Sequence, residues 1–125
     1  MYSLAVNDFF MIAHSLKGEE FGVAQNLHGA TFEITTEYKV EKLGSSGIVI
    51  DVIEAQEILK KVITPLNYKN LDELKEFKEV NTTIEVLCKH IHKQISKHLT
   101  GNINGTLKVT IRENPLAHCS YENQI

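Results

Sequence analysis

Phe32-Glu33-Ile34-Thr35-Thr36-Glu37-Tyr38-Lys39-Val40 is the stretch on which the fold turns. Phe32, Ile34, Tyr38 and Val40 are apolar or aromatic, while Thr31, Glu33, Thr35, Glu37 and Lys39 between them are polar. Side chains of a strand alternate between its two faces, so this period of two predicts a strand with one buried side. Upstream, Leu4, Val6, Phe10 and Ile12 share one parity and Phe9, Met11 and Ala13 the other. Tyr2 to His14 therefore reads as a second strand that starts half exposed and ends buried on both faces. Downstream, Gly44, Ser45, Ser46 and Gly47 break the pattern and Asp51 is placed to cap a helix. Val52, Ala55, Ile58, Leu59, Val62, Ile63 and Leu66 recur at helical spacing until Pro65 ends the helix near Thr64.

Residues 67–80 are polar and carry at most a turn or two of helix at Leu71 to Phe77. Thr82 with Glu85 three residues later forms a capping-box pattern. Ile84, Leu87, Cys88, Ile91 and Ile95 then make the apolar stripe of a second helix reaching about Leu99. Leu107, Val109 and Ile111 alternate with Lys108, Thr110 and Arg112 to give a third strand, and Ala117 to Tyr121 gives a fourth. The order β-β-α-α-β-β defines an α+β domain over residues 1–125: a four-stranded antiparallel sheet with two helices on one face. Such a sheet has two open edges, and pairing with further copies of the chain is the expected cure.

Composition narrows the function. With 42% apolar and 23% charged residues the chain has enough core material for one domain. The net charge is -3 and Arg112 is the single arginine, which disfavours nucleic acid. No apolar run approaches the ~20 residues of a membrane span, no basic leader opens the chain, and Cys88 and Cys119 read as thiols packed in the fold. A cytoplasmic protein with no membrane partner is expected.

Among residues able to do chemistry, parity sets His14 on the face of Phe10 and Ile12, and His28 and Ala30 on the face of Phe32 and Ile34. Two imidazoles can face one another across neighbouring strands, either as hydrogen-bonded residues at the sheet end or as ligands. A catalytic zinc takes three protein ligands, so two histidines are an incomplete set. Glu113 shares parity with Leu107, Val109 and Ile111, placing a carboxylate at the end of an apolar stripe. There it should meet a cation or a ligand rich in N–H donors, such as an aminopyrimidine edge or a guanidinium. Lys89, Lys93 and Lys97 read as a solvated helix face. Glu19 and Glu20 lie in the long Ser15 to Leu27 connection, a length at which loops are often functional.

Five segments together resemble the 6-pyruvoyl-tetrahydropterin synthase family, which includes the 6-carboxytetrahydropterin synthases of the queuosine pathway. Phe10 to His14 is similar to its F-x-A-A-H strand, and Leu27 to Phe32 (LHGATF) to its L-H-G-H-x-[YF]. Gly47 to Val52 (GIVIDV) resembles G-x-V-x-D-F, Asn81 to Leu87 (NTTIEVL) resembles N-P-T-x-E-x-L, and Val109 to Glu113 (VTIRE) resembles V-x-V-x-E-T. The resemblance implies the tunnelling fold, in which three such sheets join into a β-barrel and two barrels stack into a hexamer, with sites between subunits. It also implies that His14 and His28 match two of three zinc-binding histidines, and that Glu113 matches the glutamate holding the pterin ring.

The chemistry, by contrast, is altered. The third zinc histidine falls on Ala30, and the family's cysteine, four residues before the H-G-H motif, falls on Ala24. The Asp-His pair that assists proton transfer falls on Asn67 and Tyr68, and the threonine after the pterin glutamate is Asn114. The resemblance therefore implies a homo-oligomer, trimer or hexamer, that keeps a pocket for a pterin or related purine-like ring at Glu113 and Asn114 and has lost the zinc-dependent lyase reaction. One rival reading is an active synthase on a dihydroneopterin triphosphate-like substrate. It would use zinc on His14, His28 and a loop carboxylate, with Glu19, Glu20 or Tyr68 as substitutes, or no metal. The other is a structural paralogue that assembles with an active synthase.

Overall fold

A computed structural model describes residues 1–125. Strands β1 (Tyr2–His14) and β2 (His28–Val40) pair antiparallel over their full length, from Tyr2 with Val40 to His14 with His28. Strand β4 (Gly105–Asn114) pairs antiparallel with β2, and β5 (Ala117–Gln124) with β4. The four antiparallel strands predicted from the sequence are all present, and a fifth is added. Strand β3 (Lys69–Asn70) runs parallel to β1 opposite Ile12 and Ala13, giving the order β3-β1-β2-β4-β5. This corrects the four-stranded expectation. Two polar residues have no alternation for a period-two reading to find.

Helices α1 (Val52–Ile63) and α2 (Ile84–His98) cover one face of the sheet. Asp51 caps α1 as expected, its carboxylate accepting from Ile53 N–H at 2.8 Å. The cap of α2 is Thr83, whose hydroxyl accepts from Val86 N–H, and not the predicted Thr82. Thr82 is fully buried and its hydroxyl turns towards His14 instead. Leu71–Glu73 and Lys75–Phe77 form two separate 3-10 turns, so no α-helix develops there.

The core lies between sheet and helices and is built from Phe10, Phe32, Ile34, Tyr38, Leu59, Leu87, Ile91, Leu107 and their neighbours, with Phe10 and Phe32 packed edge to face at 5.6 Å. The opposite sheet face carries no helix. There Phe9 is 57% exposed and Met11 and Ala13 are half-buried, so the end of β1 is not sealed on both faces within one chain. Cys88 and Cys119 are free thiols, Cys88 buried and Cys119 half-buried. No helix is long and apolar enough to cross a membrane.

Candidate functional site

The end of β1, the start of β2, the end of β4 and the start of β5 lie at one end of the sheet, because the strands alternate in direction. His14 and His28 form the last pair of the β1–β2 ladder, and their rings meet edge to face with centroids 4.6 Å apart. Sequence parity and register thus bring the two predicted histidines together.

Each imidazole is fixed from behind. His14 Nδ1 lies 3.1 Å from the Thr82 carbonyl oxygen and 2.9 Å from the Thr82 hydroxyl. A carbonyl only accepts, so Nδ1 carries the proton and donates, and Nε2 is left with its lone pair. His28 repeats the arrangement, donating from Nδ1 to the Asn26 carbonyl at 2.8 Å. Burial, and secondarily the neighbouring His28, lowers the pKa of His14 below the ordinary imidazole value, opposed by the Thr82 carbonyl and by Asp72. His14 is therefore neutral at pH 7.

Segment Asn81 to Thr83 acts as a clamp on this end of the sheet. The Asn81 carboxamide accepts from Lys17 N–H at 2.8 Å and donates to the Lys17 carbonyl at 2.9 Å. Thr82 holds His14 and Thr83 starts α2. Asp72, which the sequence did not single out, accepts from Ser15 N–H at 2.9 Å and from the Ser15 hydroxyl at 2.6 Å, close enough to His14 to bias its charge.

The altered family positions have structural work of their own. Ala24 lies half-buried in the 3-10 segment Glu19–Gln25, its carbonyl accepting from Leu16 N–H at 3.0 Å. Ala30 is half-buried opposite Ile12, next to the core. The Asn67 carboxamide accepts from Met11 N–H at 2.9 Å, and Tyr68 N–H donates to the Met11 carbonyl at 2.7 Å, so this pair ties the chain to the β1 edge. Tyr68 is 74% exposed and has φ +60°, a conformation that non-glycine residues seldom adopt. Glu19 and Glu20 are exposed.

Glu113 sits apart from the histidines. The β2–β4 ladder ends at Glu33 with Arg112, and β4 bulges between Arg112 and Asn114, leaving Glu113 exposed in the single chain. The Asn114 side chain accepts from Leu116 N–H at 2.8 Å and shapes the β4–β5 turn.

These residues do not fit a three-ligand zinc. No third histidine, cysteine, aspartate or glutamate stands with the histidine pair in a metal-holding group. Ala30 offers a methyl, and both Asp72 oxygens are engaged by Ser15. A groove of about 720 Å³ between Lys39–Gly44 and Asn102–Thr106 lies at the other end of the sheet and includes none of these residues.

Residues 3–124 match the family model described as 6-pyruvoyl tetrahydropterin synthase. Among solved structures, the 6-pyruvoyl tetrahydropterin synthase of Caenorhabditis elegans superposes with a TM-score of 0.86 at 23% identity, covering 98% of this chain and 96% of that one. The Plasmodium falciparum enzyme gives 0.80 at 15% identity and the Plasmodium vivax enzyme 0.79 at 18%, each covering 99% of this chain and 98% of its own. At these identities the likeness is one of fold. No curated protein matches the sequence significantly.

Proposed function

This chain belongs to the 6-pyruvoyl tetrahydropterin synthase family, and from that premise we propose that it binds a pterin or related purine-like ring through Glu113 and no longer carries out a zinc-dependent lyase reaction. The carrying observation is that His14 and His28 meet edge to face, each with a backing hydrogen bond, while no third ligating side chain joins them. Positions 24, 30, 67 and 68 hold alanine, alanine, asparagine and tyrosine, and three of them serve the backbone. The groups that would move protons are thereby gone, whereas an ionised carboxylate at Glu113 still offers two acceptor oxygens to a pair of N–H donors.

The chain acts as a homo-oligomer, trimer or hexamer. Supporting this, Tyr2 to Phe10 of β1 and the outer side of β5 are unpaired edges, and the uncovered sheet face exposes Phe9. Association is what would turn the exposed Glu113 into one wall of a cleft.

The test is a fluorescence titration of pterin into the full chain, with and without chelator. Glu113→Gln replaces a charge-assisted pair by a neutral one and is expected to weaken binding by about 1.5–3 kcal/mol. Chelator is expected to leave wild-type affinity unchanged. Equal affinity of wild type and variant refutes the assignment of Glu113, and loss of binding on chelation revives a metal-dependent synthase.

A further inference from the structure

Cys88 and Cys119 meet across the seam between α2 and β5. Cys88 is fully buried on α2, and His92, also buried, follows one turn later. On β5, Cys119 and Tyr121 are the two half-buried residues of an otherwise exposed strand, so both turn inward. The four side chains make two successive rungs between helix and strand. His92 meets the Tyr121 ring edge to face at 5.2 Å, and its Nε2 lies 3.2 Å from the Asn123 carbonyl oxygen. Cys88 Sγ lies 3.5 Å from the Cys119 carbonyl oxygen. Four residues of helix rise about 6 Å and two residues of strand about 7 Å, so the rungs stay in step.

A thiol seated on its partner's own carbonyl is within the span of a disulfide, whose α-carbons stand about 4.4–6.8 Å apart. The two thiols are also near enough that each changes the other's acidity. We infer that Cys88 and Cys119 are a modification site: with a low-molecular-weight disulfide such as oxidised glutathione they close an intramolecular bond that staples the outermost strand β5 to α2. The inference is independent of ring binding at Glu113.

The half-exposed Cys119 is the point of entry. Its thiol loses a proton to solvent and attacks one sulfur of the external disulfide, leaving a mixed disulfide and expelling a thiolate that is reprotonated by solvent. Cys88 then attacks the Cys119 sulfur, and its proton passes to the second departing thiolate. Two protein thiols are thus oxidised to one disulfide while one external disulfide is reduced to two thiols. Burial, chiefly, holds both thiols above their ordinary value, so the pair reacts by slow exchange and not as a fast peroxide sensor.

The experiment holds the reduced full chain in oxidised glutathione under native conditions and reads intact mass, non-reducing peptide maps and Tm. Wild type is expected to lose two hydrogen atoms, to yield one peptide pair joining Cys88 and Cys119, and to gain about 5–10 °C in Tm, because the bond closes a loop between positions 31 residues apart. Cys88→Ser lacks the second thiol and is expected to hold the mixed disulfide on Cys119 at a level about tenfold or more above wild type. A mixed disulfide that persists in wild type, a bond between two chains, or no oxidation at all overturns the inference. An oxidised chain whose Tm is unchanged or lower overturns it as well, since the bond then forms only by distorting the fold. Because the peptide map and Tm are read on wild type, the result does not depend on any variant folding.

Discussion

Thr36 offers the cleanest measure of how tightly this core is built. It lies mid-strand on β2, fully buried, between Val6 on β1 and Val109 on β4, and its hydroxyl finds no partner. Thr36→Val keeps the β-branched shape and exchanges the hydroxyl for a methyl. A buried polar group without a partner costs about 1–3 kcal/mol, which the substitution returns. The new methyl adds about 0.8 kcal/mol of burial. A methyl is slightly larger than a hydroxyl, and in a close-packed row crowding takes back about 1 kcal/mol or more. The expected net gain is about 1–2 kcal/mol, or about 3–5 °C in Tm per kcal/mol for a domain of this size. The assay is urea unfolding at fixed protein concentration, since association couples to stability. The midpoint should rise with an unchanged slope. A midpoint that is unchanged or lower shows that the hydroxyl has a partner in solution, such as a buried water, and refutes the reasoning.

Three further outcomes follow from the packing. The Lys39 carbonyl oxygen of the β2 backbone occupies the space where a Cβ on Gly105 would stand, so Gly105→Ala should cost about 3 kcal/mol or more, read as a lowered urea midpoint; a change within about 0.5 kcal/mol refutes the close approach. His14 and His90 both have pKa values lowered chiefly by burial, so the folded chain holds them neutral while the unfolded chain takes up protons below the ordinary value of 6.5. Their stabilisation is complete above that value and is lost as the pH falls through it, by at most about 1.4 kcal/mol per pH unit for each histidine; His90→Gln should flatten the fall in midpoint between pH 7 and 5.5, and an identical pH dependence counts against it. Burial pushes the Cys88 thiol up to about 12, so in native protein at pH 8 iodoacetamide should label Cys119 first by peptide mass analysis, and faster labelling of Cys88 contradicts its burial.

The parts of this molecule that were readable in advance are those governed by local periodicity. Strand β2 follows its alternation from Phe32 to Val40, and because β1 pairs with it throughout, the same parity correctly faced His14 with His28. Parity also followed β4 as far as Ile111, but the bulge at Arg112 to Asn114 interrupts it where Glu113 stands, and no residue type there announces a bulge. The capping box failed for a related reason. Thr82 and Thr83 both fit an N-cap, and what separates them is the distant imidazole of His14, which takes Thr82. Strand β3 and Asp72 were invisible on the same grounds, since their partners, Ile12 with Ala13 and Ser15, are more than fifty residues away. Local pattern therefore gave the scaffold and the histidine pair, and long-range contacts decided the rest.

That division explains how a chain of this family can retain His14 on structural grounds. His14 is buried, and removing it would strand the Thr82 carbonyl and hydroxyl in a water-poor place, a cost comparable to losing a buried hydrogen bond or more. Asn67 earns its place through the Met11 amide, a bond that an aspartate would make equally well, so exchanging the acid for the amide removes a charge at little structural expense. Ala30 and Ala24 are small residues whose backbones, not their side chains, hold the sheet and the loop. Selection on stability alone thus retains His14 and tolerates the other changes. The persistence of His14 is on that account explained by its packing and its Thr82 partners.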